Sequence, residues 1–311
     1  GSEMCIRDRV DRGVPVLRIG NPSRVNDKML SFTYERRFES HPAYTELWGI
    51  RKSIRDMGNH LRKGGYSERE STRNRILRLK ERATELEILI NEDLFSSARV
   101  IASTLVSSNH RILTGRHFST LFIDEAAQAL EAACWIAIRK ADRVILAGDH
   151  CQLPPTIKCM EAARSGLDRT LMEKVVMNKQ EAVSLLKIQY RMHRSIMQFP
   201  SAWFYQGELE AAPEISHRGI LELDTPINWI DTSEMDFHEE FVGESFGRIN
   251  KPEANLLLQE LENYIRKIGE NRVAEECIDF GLISPYKAQV QYLRNKICLL
   301  YTSPSPRDAT L

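Results

Sequence analysis

The sequence predicts an α/β protein with parallel strands, right-handed crossovers and a helical insertion in its first half. Five short apolar runs each end in a small or polar residue, as is typical of buried parallel strands. Helix-forming stretches follow most of these runs. The chain has 311 residues, with 43 basic and 43 acidic side chains, which is enough to form two domains with buried cores.

The predicted strands are ARVIAS, TLFID, DRVILAG, VSLLK and FGLIS, which begin near positions 98, 120, 142, 183 and 280. The predicted helices LEAACWIAIRK, RSIMQFPSAWFY and YKAQVQYLRNKI follow the second, fourth and fifth of these runs. We place the boundary between two α/β halves near 176–181, which gives a first domain over 10–178 and a second over 179–297. The acidic, poorly periodic segment 234–248 is predicted to be a loop.

The segment from about 26 to 95 is rich in Arg and Glu and has helical periodicity. Apolar residues recur at spacings of three and four through Ile76, Leu79, Ala83, Leu86 and Ile90. This stripe predicts a long amphipathic helix within an insertion in the first domain. Four arginines accompany it: Arg69, Arg73, Arg78 and Arg82. They indicate either a nucleic-acid clamp or a solvated helix surface with i,i+4 charge pairs.

Both termini are predicted to be foreign to the natural gene. DNA that encodes residues 1–9 has a reverse complement that encodes CLLYTSPS, the sequence of residues 298–305. One oligonucleotide, similar to a transposase adapter from sequencing libraries, explains both 1–9 and 298–311, and we exclude them from the fold. We expect the remainder to be an internal fragment of a longer protein.

Composition limits the classes of function. Equal numbers of acidic and basic side chains give no general attraction to nucleic acid, so such binding needs a local surface. No apolar run approaches the roughly 20 residues that cross a bilayer. The cysteines outside the ends form no CxxC pair, which suits a reducing compartment. We expect a cytoplasmic monomer without a membrane partner. A zinc site at His150, Cys151 and Cys159 is an alternative, although this spacing matches no common ligand pattern.

Polar residues follow several predicted strands at the point where each strand ends. They are Ser103, Thr104, Asp124, Glu125, Gly148, Asp149, Ser284 and Pro285. Ligands of doubly wound sheets bind beyond the carboxyl ends of the strands, so we expect one sheet edge to collect these residues. Asp124 next to Glu125 suits magnesium-assisted phosphate chemistry. The alternative is that both acids cap a strand and begin a helix.

Two further segments favour the phosphate interpretation. In GDHCQLPPT (148–156), Gly148 allows a sharp turn and Gln152 carries an amide that is able to sense a terminal phosphate. In QYRMHRSIM, Arg191 follows the predicted VSLLK strand of the second half. An arginine from a neighbouring domain can stabilise charge on a transferring phosphoryl group. Each segment also has a simpler interpretation. The first could be an ordinary Gly/Pro loop, and Arg191 could be a surface residue.

The segments IDEAAQALE, ILAGDHCQLPP, QYRMHRSIM and ISPYKAQV occur in this order and resemble superfamily 1 helicases of the up-frameshift group. They are most similar to the immunoglobulin-mu-binding-protein-2 type. RIGNPSRV (18–25) and ARVIASTL (98–105) fit the same family. The resemblance covers nearly everything between the two ends.

This resemblance implies an ATP-dependent helicase with two RecA-like parallel-sheet domains, both incomplete here. ATP and Mg²⁺ would bind between the domains, and single-stranded DNA or RNA would cross them. By resemblance, Asp124 binds the magnesium ion and Glu125 is the hydrolytic base. Gln152 couples the γ-phosphate to the strand, Tyr190 contacts the nucleotide and Arg191 is the arginine finger. The residues assigned to the nucleic acid are Ser103, Thr104, Pro154, Ser284 and Tyr286.

The sequence also departs from the family pattern. It has no G-x-x-x-x-G-K-[ST] phosphate loop. The glycine pair Gly64–Gly65 does not form one, because it lacks both the spacing and the lysine. Two segments that occur later in this family, of the QG-E and TRA-R type, are also missing from the sequence. We attribute both losses to truncation, and expect that the 311-residue chain neither binds ATP tightly nor unwinds duplexes. One alternative is a degenerate nucleic-acid-binding or scaffold module. A dinucleotide-dependent enzyme is disfavoured because no G-x-G-x-x-G follows a strand.

Overall fold

The computed structural model describes residues 9–21, 27–61, 66–221, 225–243 and 247–301. Of the two ends that we predicted to be foreign, 1–9 and 298–311, residues 1–8 and 302–311 lie outside these ranges. The chain forms two compact units, Gly1–Ser184 and Leu185–Leu311. This division falls a few residues beyond the boundary that we predicted between 178 and 179.

The first unit contains parallel strand pairs and a group of helices. Its described strands are β1 (Val16–Ile19), β2 (Val100–Ser103), β3 (Phe118–Ile123) and β4 (Ala141–Leu146). Its described α-helices are α1 (Asp27–Leu30), α2 (Tyr34–Glu39), α3 (Tyr44–Leu61), α4 (Tyr66–Ser97), α5 (Glu131–Ile138), α6 (Met160–Ala162) and α7 (Leu171–Asn178). The strands after positions 98, 120 and 142 were predicted, whereas β1 was not.

The strands of the first unit pair in parallel. β1 pairs with β2, from Val16 opposite Val100 to Ile19 opposite Ser103. β3 pairs with β4, ending with Ile123 opposite Leu146. Helices connect the partners of each pair, which confirms the predicted α/β class. Within the described residues the two pairs form separate sheets, so the expectation of one continuous sheet edge is wrong in this respect.

The helical insertion lies between β1 and β2, where the sequence predicted it. Ala83, Leu86 and Ile90 of α4 are buried, and the core they form also contains Leu47 of α3 and Leu17 of β1. Ion pairs join the two long helices outside this core, with Arg51 and Glu87 at 2.7 Å and Arg82 and Glu46 at 3.0 Å. The predicted apolar stripe is therefore the face by which α4 packs against α3 and β1. Pairing of Arg82 with glutamates agrees with the solvated-surface interpretation of the arginines.

The second unit has short strands and longer helices. Its described strands are β5 (Ile188–Gln189), β6 (Glu210–Ala211), β7 (Glu240–Val242) and β8 (Gly247–Ile249). Its described helices are α8 (Arg194–Phe204), α9 (Lys251–Ile268), α10 (Glu270–Glu275) and α11 (Lys287–Tyr301). β5 and β6 are parallel, and β7 and β8 form an antiparallel pair. Ala254 and Leu258 of α9 form a small core with Leu293 of α11.

Two predicted strands of this unit are wrong. VSLLK is not a strand, and the short strand β5 begins after it; FGLIS is also irregular. Leu186 is 85% exposed and Ile283 is 92% exposed. A parallel strand needs hydrogen-bonded neighbours and burial on its faces. Neither run is part of a described sheet, although the Lys187 carbonyl at the end of VSLLK accepts a hydrogen bond from the Glu210 N–H of β6 at 2.8 Å. Apolar composition alone therefore overpredicts strands here.

The predicted loop at 234–248 is also wrong, because it contains β7 and the first part of β8. Tertiary contacts hold β8 in place. A Cβ atom at Gly247 would lie 2.8 Å from the Cβ of Ala288 in α11, so the strand approaches this helix closely. The buried Gln289 side chain accepts a hydrogen bond from the Asn250 backbone N–H at 3.0 Å and donates one to the Asn250 carbonyl at 2.9 Å.

None of the helices in the described ranges is both long enough and apolar enough to cross a membrane.

Candidate functional site

The ends of β3 and β4 are joined by two backbone hydrogen bonds. The Ala147 N–H donates to the Ile123 carbonyl at 2.8 Å, and the Ala126 N–H donates to the Ala147 carbonyl at 2.9 Å. The pairing between the strands thus continues beyond their last residues. Asp124 and Glu125 after β3 consequently lie at the same edge as Gly148 and Asp149 after β4.

Backbone geometry at this edge is unusual. Glu125 has φ 53° and ψ 40°, in the left-handed region that residues with a side chain seldom occupy. A Cβ atom at Gly148 would lie 2.9 Å from the Ala126 nitrogen and 3.2 Å from the Ala127 nitrogen. Only glycine fits between these two loops without moving the backbone. Strained, close-packed backbone is common at sites where a side chain must be held in one position.

The two carboxylates after β3 are accessible. Asp124 and Glu125 are exposed, whereas the following Ala126 and Ala127 are buried. The Glu125 N–H donates to Asp124 Oδ1 at 3.2 Å, and Gln128 Nε2 lies 3.5 Å from Glu125 Oε2. The buried alanines fix the loop while the acids stay in contact with solvent. This arrangement can bind a hydrated cation.

Asp149 organises the loop after β4. Its Oδ1 accepts a hydrogen bond from the Cys151 N–H at 3.0 Å, and its Oδ2 accepts one from Gln152 Nε2 at 2.8 Å. Such a turn is a typical local use of an Asp side chain. Burial, and then the negative charge of Asp149, raises the pKa of the Cys151 thiol. Gln152 is exposed yet held against Asp149, and Pro154 beyond it is also exposed.

The zinc alternative does not gather its predicted ligands. Among the described residues, Asp149, His150 and Cys151 have ligand atoms within 4.8 Å of one another, and Cys159 is not in this group. Cys159 is an exposed free thiol. The predicted set of His150, Cys151 and Cys159 is therefore wrong.

Oxygen donors at this edge fit a magnesium ion better than they fit a whole nucleotide. Mg²⁺ prefers carboxylate oxygens and water, which Asp124, Glu125 and Asp149 can provide. A triphosphate also needs a loop of backbone N–H groups and a lysine, and the sequence has no G-x-x-x-x-G-K-[ST] segment. Asp124 and Glu125 thus place carboxylate oxygens of the kind that Mg²⁺ prefers at this edge, and the 311-residue sequence has no phosphate-loop segment beside them.

In the second unit, one glutamine shapes the turn that carries Tyr190 and Arg191. Gln189 Oε1 accepts hydrogen bonds from the N–H groups of Arg191 and Met192, both at 2.9 Å. Gln189 Nε2 donates to the Met192 carbonyl at 2.7 Å. His193 then caps α8 by accepting from the Ser195 N–H at 3.0 Å. Tyr190 is 63% exposed and Arg191 is also exposed.

Gln189 and His193 were not predicted from the sequence as positioning residues. The available signal was local, since a polar side chain before a turn or a helix can bond to the free backbone N–H groups.

The residues predicted to contact nucleic acid lie in three places. Ser103 ends β2, and Thr104 Oγ1 accepts from the Ser107 N–H at 3.1 Å. Pro154 belongs to the loop after β4. Ser284 and Tyr286 belong to the second unit, where the Tyr286 N–H lies 3.5 Å from Ser284 Oγ. The structure does not bring these residues together on one described sheet.

Tyr286 has a neighbour that the sequence did not suggest. The guanidinium carbon of Arg248 lies 5.8 Å from the centre of the Tyr286 ring and 5.3 Å from that of Phe241. Arg248 Nη1 also lies 2.6 Å from Glu239 Oε2. Because this cluster depends on the β7–β8 hairpin, it could not be predicted from a segment that was interpreted as a loop.

Comparison with known protein families agrees with this architecture. Two family matches, each described as an AAA domain, cover residues 4–160 and 167–303. The chain belongs to the AAA-domain family of superfamily 1 helicases, in the up-frameshift group and close to the immunoglobulin-mu-binding-protein-2 type.

Three similar proteins illustrate the relationship. "DNA-binding protein SMUBP-2" of Mesocricetus auratus is 31% identical over 91% of this chain. "DNA polymerase alpha-associated DNA helicase A" of Schizosaccharomyces pombe is 31% identical over 94% of the chain. "Uncharacterized ATP-dependent helicase MJ0104" of Methanocaldococcus jannaschii is 27% identical over 90%. The chain spans 29%, 46% and 47% of the lengths of these three relatives, respectively.

Proposed function

We propose that the chain is part of an ATP-dependent helicase that couples nucleotide hydrolysis to movement along single-stranded DNA or RNA. The observation that carries this proposal is the junction after β3 and β4, where the Ala126 N–H bonds to the Ala147 carbonyl. This bond keeps the carboxylate pair beside the loop that contains Gln152. The helicase names of two similar proteins support the same activity.

Residues of the first unit would divide the hydrolytic roles. Asp124 would bind Mg²⁺ directly or through water, and Glu125 would orient the attacking water and accept its proton. The bound ion would neutralise charge on the phosphates. Gln152 Nε2 donates a hydrogen bond to Asp149. The carbonyl oxygen of the same amide remains, and we assign it to sensing the state of the bound nucleotide.

The second unit carries two further residues that the family resemblance assigns to the nucleotide. We assign Tyr190 to the nucleotide and Arg191 to the charge that develops on the transferred phosphoryl group. Both assignments are supported by the turn that Gln189 holds, because the Tyr190 and Arg191 side chains are exposed there on a fixed backbone.

Single-stranded nucleic acid would be bound by a mixture of backbone and stacking contacts. The assigned residues are Ser103, Thr104, Pro154, Ser284 and Tyr286. The Tyr286 ring is 42% exposed, and an exposed aromatic ring can stack on any base. Such contacts predict binding that tolerates sequence and weakens with salt.

The second candidate function is a nucleic-acid-binding or scaffold module without ATPase activity. One observation favours it, because the 311 residues contain no G-x-x-x-x-G-K-[ST] segment. For the same reason we propose that this chain alone neither binds ATP tightly nor unwinds duplexes. Sequencing the gene upstream of this segment separates the two candidates, since a phosphate loop encoded there supports the helicase and its absence supports the module.

Two measurements test the chain itself. Fluorescence anisotropy with a single-stranded oligonucleotide should show binding that weakens as salt rises, and a lack of binding at low salt would contradict the assigned strand contacts. The ATPase rate should be very low and unchanged in Glu125→Gln. A rate that Glu125→Gln abolishes would show instead that the chain is catalytically complete.

A further inference from the structure

Three consecutive residues in the loop after β4 bring together three different kinds of metal-binding atom. They are Asp149, His150 and Cys151, and a carboxylate oxygen, a ring nitrogen and the sulfur all lie within 4.8 Å of one another. Cys159, the next cysteine along the chain, is outside this group. The proposed helicase function assigns no role to His150 or Cys151.

Solvent has access to all three side chains. His150 is exposed, and Asp149 and Cys151 are partly exposed. An ion can therefore reach the loop without any opening of the core. Cys134 differs in this respect, because it is fully buried among apolar residues of the first unit.

The separation between the sulfur and the ring nitrogen suits a shared tetrahedral ion. Cys151 Sγ lies 3.7 Å from His150 Nε2. Zinc binds a thiolate sulfur at about 2.3 Å and an imidazole nitrogen at about 2.0–2.1 Å, so two such ligands of one tetrahedral ion are about 3.6 Å apart. These two atoms therefore already have the spacing that one ion requires. A thiol is only a weak hydrogen-bond donor, so a direct contact between them is a weak interaction.

Asp149 supplies the third ligand from a fixed position. Its Oδ1 accepts a hydrogen bond from the Cys151 N–H at 3.0 Å, and its Oδ2 accepts one from Gln152 Nε2 at 2.8 Å. An ionised carboxylate has about four acceptor sites, so a hydrogen bond to one of its oxygens does not prevent that oxygen from binding an ion. Hydrogen bonds of this kind commonly orient the carboxylates that bind metals.

The donor atoms determine which type of ion fits. Thiolate and imidazole ligands suit zinc and similar transition-metal ions, whereas Mg²⁺ prefers oxygen ligands and water. Asp124 and Glu125 at the same edge offer carboxylate oxygens alone. The loop after β4 therefore differs in its chemistry from the carboxylate pair after β3.

We propose that Asp149, His150 and Cys151 form a binding site for a divalent transition-metal ion of the zinc type. The ligands would be a carboxylate oxygen of Asp149, His150 Nε2 with the ring proton on Nδ1, and the Cys151 sulfur, with water in the fourth position. As the bond between sulfur and ion forms, the thiol proton passes to the solvent. The proposal is independent of the helicase function, because it requires neither nucleotide nor nucleic acid.

Titration of the reduced 311-residue chain with cobalt(II) chloride tests the proposal, since Co²⁺ takes the place of zinc at such sites and absorbs light. A bond between Co²⁺ and a thiolate gives a charge-transfer band in the near ultraviolet, and tetrahedral coordination strengthens the visible absorption. We expect both signals to saturate at one ion per chain and to disappear when zinc chloride is added. Absence of the charge-transfer band in the wild-type chain would overturn the proposal.

Cysteine variants identify the thiol that binds the ion. Cys151→Ser removes the sulfur and keeps the backbone N–H that donates to Asp149, so it should abolish the charge-transfer band. Cys159→Ser is the matched control, because Cys159 is an exposed thiol outside the cluster, and it should leave the band unchanged. A band that persists in Cys151→Ser, or that is lost in Cys159→Ser, would show adventitious binding by another thiol and overturn the proposal.

Histidine variants test the second ligand. His150→Gln should weaken Co²⁺ binding by about tenfold or more, as is typical when the coordination of a metal site is disturbed. His117→Gln is the control, because His117 is exposed and pairs with Asp142 where β3 and β4 begin, at the opposite ends of these strands. This variant should bind Co²⁺ as tightly as the wild type. Equal affinities of the two histidine variants would contradict the assigned ligand.

Alkylation of the wild-type chain gives a test that needs no variant. A thiolate bound to zinc reacts slowly with iodoacetamide, so saturating zinc should slow alkylation of Cys151 by about tenfold or more. Peptide mass mapping distinguishes the cysteines, and Cys159 should react at the same rate with and without zinc. An alkylation rate of Cys151 that zinc does not change would overturn the proposal.

Discussion

A Cβ atom at Gly148 would lie 2.9 Å from the backbone nitrogen of Ala126. This nitrogen carries the N–H that bonds to the Ala147 carbonyl and so joins the loops after β3 and β4. The position of the Asp124–Glu125 pair beside Asp149 therefore depends on the absence of a side chain at Gly148. Other atoms near that point are the Ala127 nitrogen and the Met172 sulfur, of which only the sulfur could move easily.

Gly148→Ala should destabilise the first unit by about 1–3 kcal/mol, because backbone atoms must shift to admit the methyl group. Urea unfolding measures this change. Gly49→Ala is the matched control, since Gly49 lies in α3 with no atom within 4 Å of an added Cβ. There the substitution should stabilise the chain by about 0.5–1 kcal/mol through helix propensity. Equal stability of the two variants would refute the close approach.

Gln189→Ala should loosen the turn that carries Tyr190 and Arg191. The substitution removes two acceptor contacts to backbone N–H groups and one donor contact to a carbonyl. Each net hydrogen bond contributes about 1 kcal/mol, so amide hydrogen exchange at Arg191 and Met192 should become about tenfold faster or more. Gln291→Ala, which removes a side-chain contact on α11, should leave exchange at this turn unchanged. Similar exchange rates in both variants would show that Gln189 does not hold the turn.

The first unit was largely predictable from the sequence. The apolar runs that became β2, β3 and β4 have clear polar ends, and Ala83, Leu86 and Ile90 follow a helical period that tertiary packing preserves. Both patterns record burial on one face, and the structure buries those faces.

The second unit was less predictable because its strands depend on distant partners. VSLLK and FGLIS have strand-like composition, yet neither run is part of a described sheet. The β7–β8 pair has weak local signals, and its stability comes from contacts such as Gly247 against Ala288. Periodicity reports local preference and carries no information about such tertiary contacts.

The candidate site was also predictable from the sequence only in part. Asp124, Glu125 and Gln152 were identified from strand ends and motif resemblance, and their chemical roles stay predictions. The hydrogen bond between Gln152 and Asp149 and the left-handed backbone of Glu125 required coordinates. A side chain's partner in a loop depends on the exact turn, which composition does not determine.

Ile90→Ala should destabilise the first unit by about 2–5 kcal/mol, because truncation of a buried side chain leaves a cavity. Ile90 of α4 is fully buried in the core that α4 forms with α3 and β1. Ile88→Ala on the same helix is the matched control. Ile88 is 57% exposed, so this variant should lie within about 0.5 kcal/mol of the wild type. Urea unfolding of both variants gives the comparison. Similar losses at the two positions would contradict the orientation of α4 in the insertion.

Glu131 gives the chain a stability contribution that depends on pH. Its carboxylate accepts hydrogen bonds from Lys174 of α7 and from Trp135 Nε1, and these two contacts lower the pKa of Glu131, the lysine contributing most. A group whose pKa is lower in the folded state stabilises the fold above its unfolded pKa, and this contribution is lost as the pH falls through the folded value.

Glu131→Gln should therefore lower the melting temperature slightly at about pH 7, and the difference from the wild type should shrink as the pH falls below the ordinary range of a glutamate and the wild-type carboxylate becomes protonated. Because the pair is partly exposed, we expect a difference of only about 0.2–1 kcal/mol at neutral pH. Glu81→Gln, which removes the same charge from an exposed position of α4, should show a smaller dependence on pH. A melting-temperature difference between Glu131→Gln and the wild type that does not shrink as the pH is lowered from about 7 until the chain unfolds in acid would mean that the Lys174 contact does not act through the charge of Glu131.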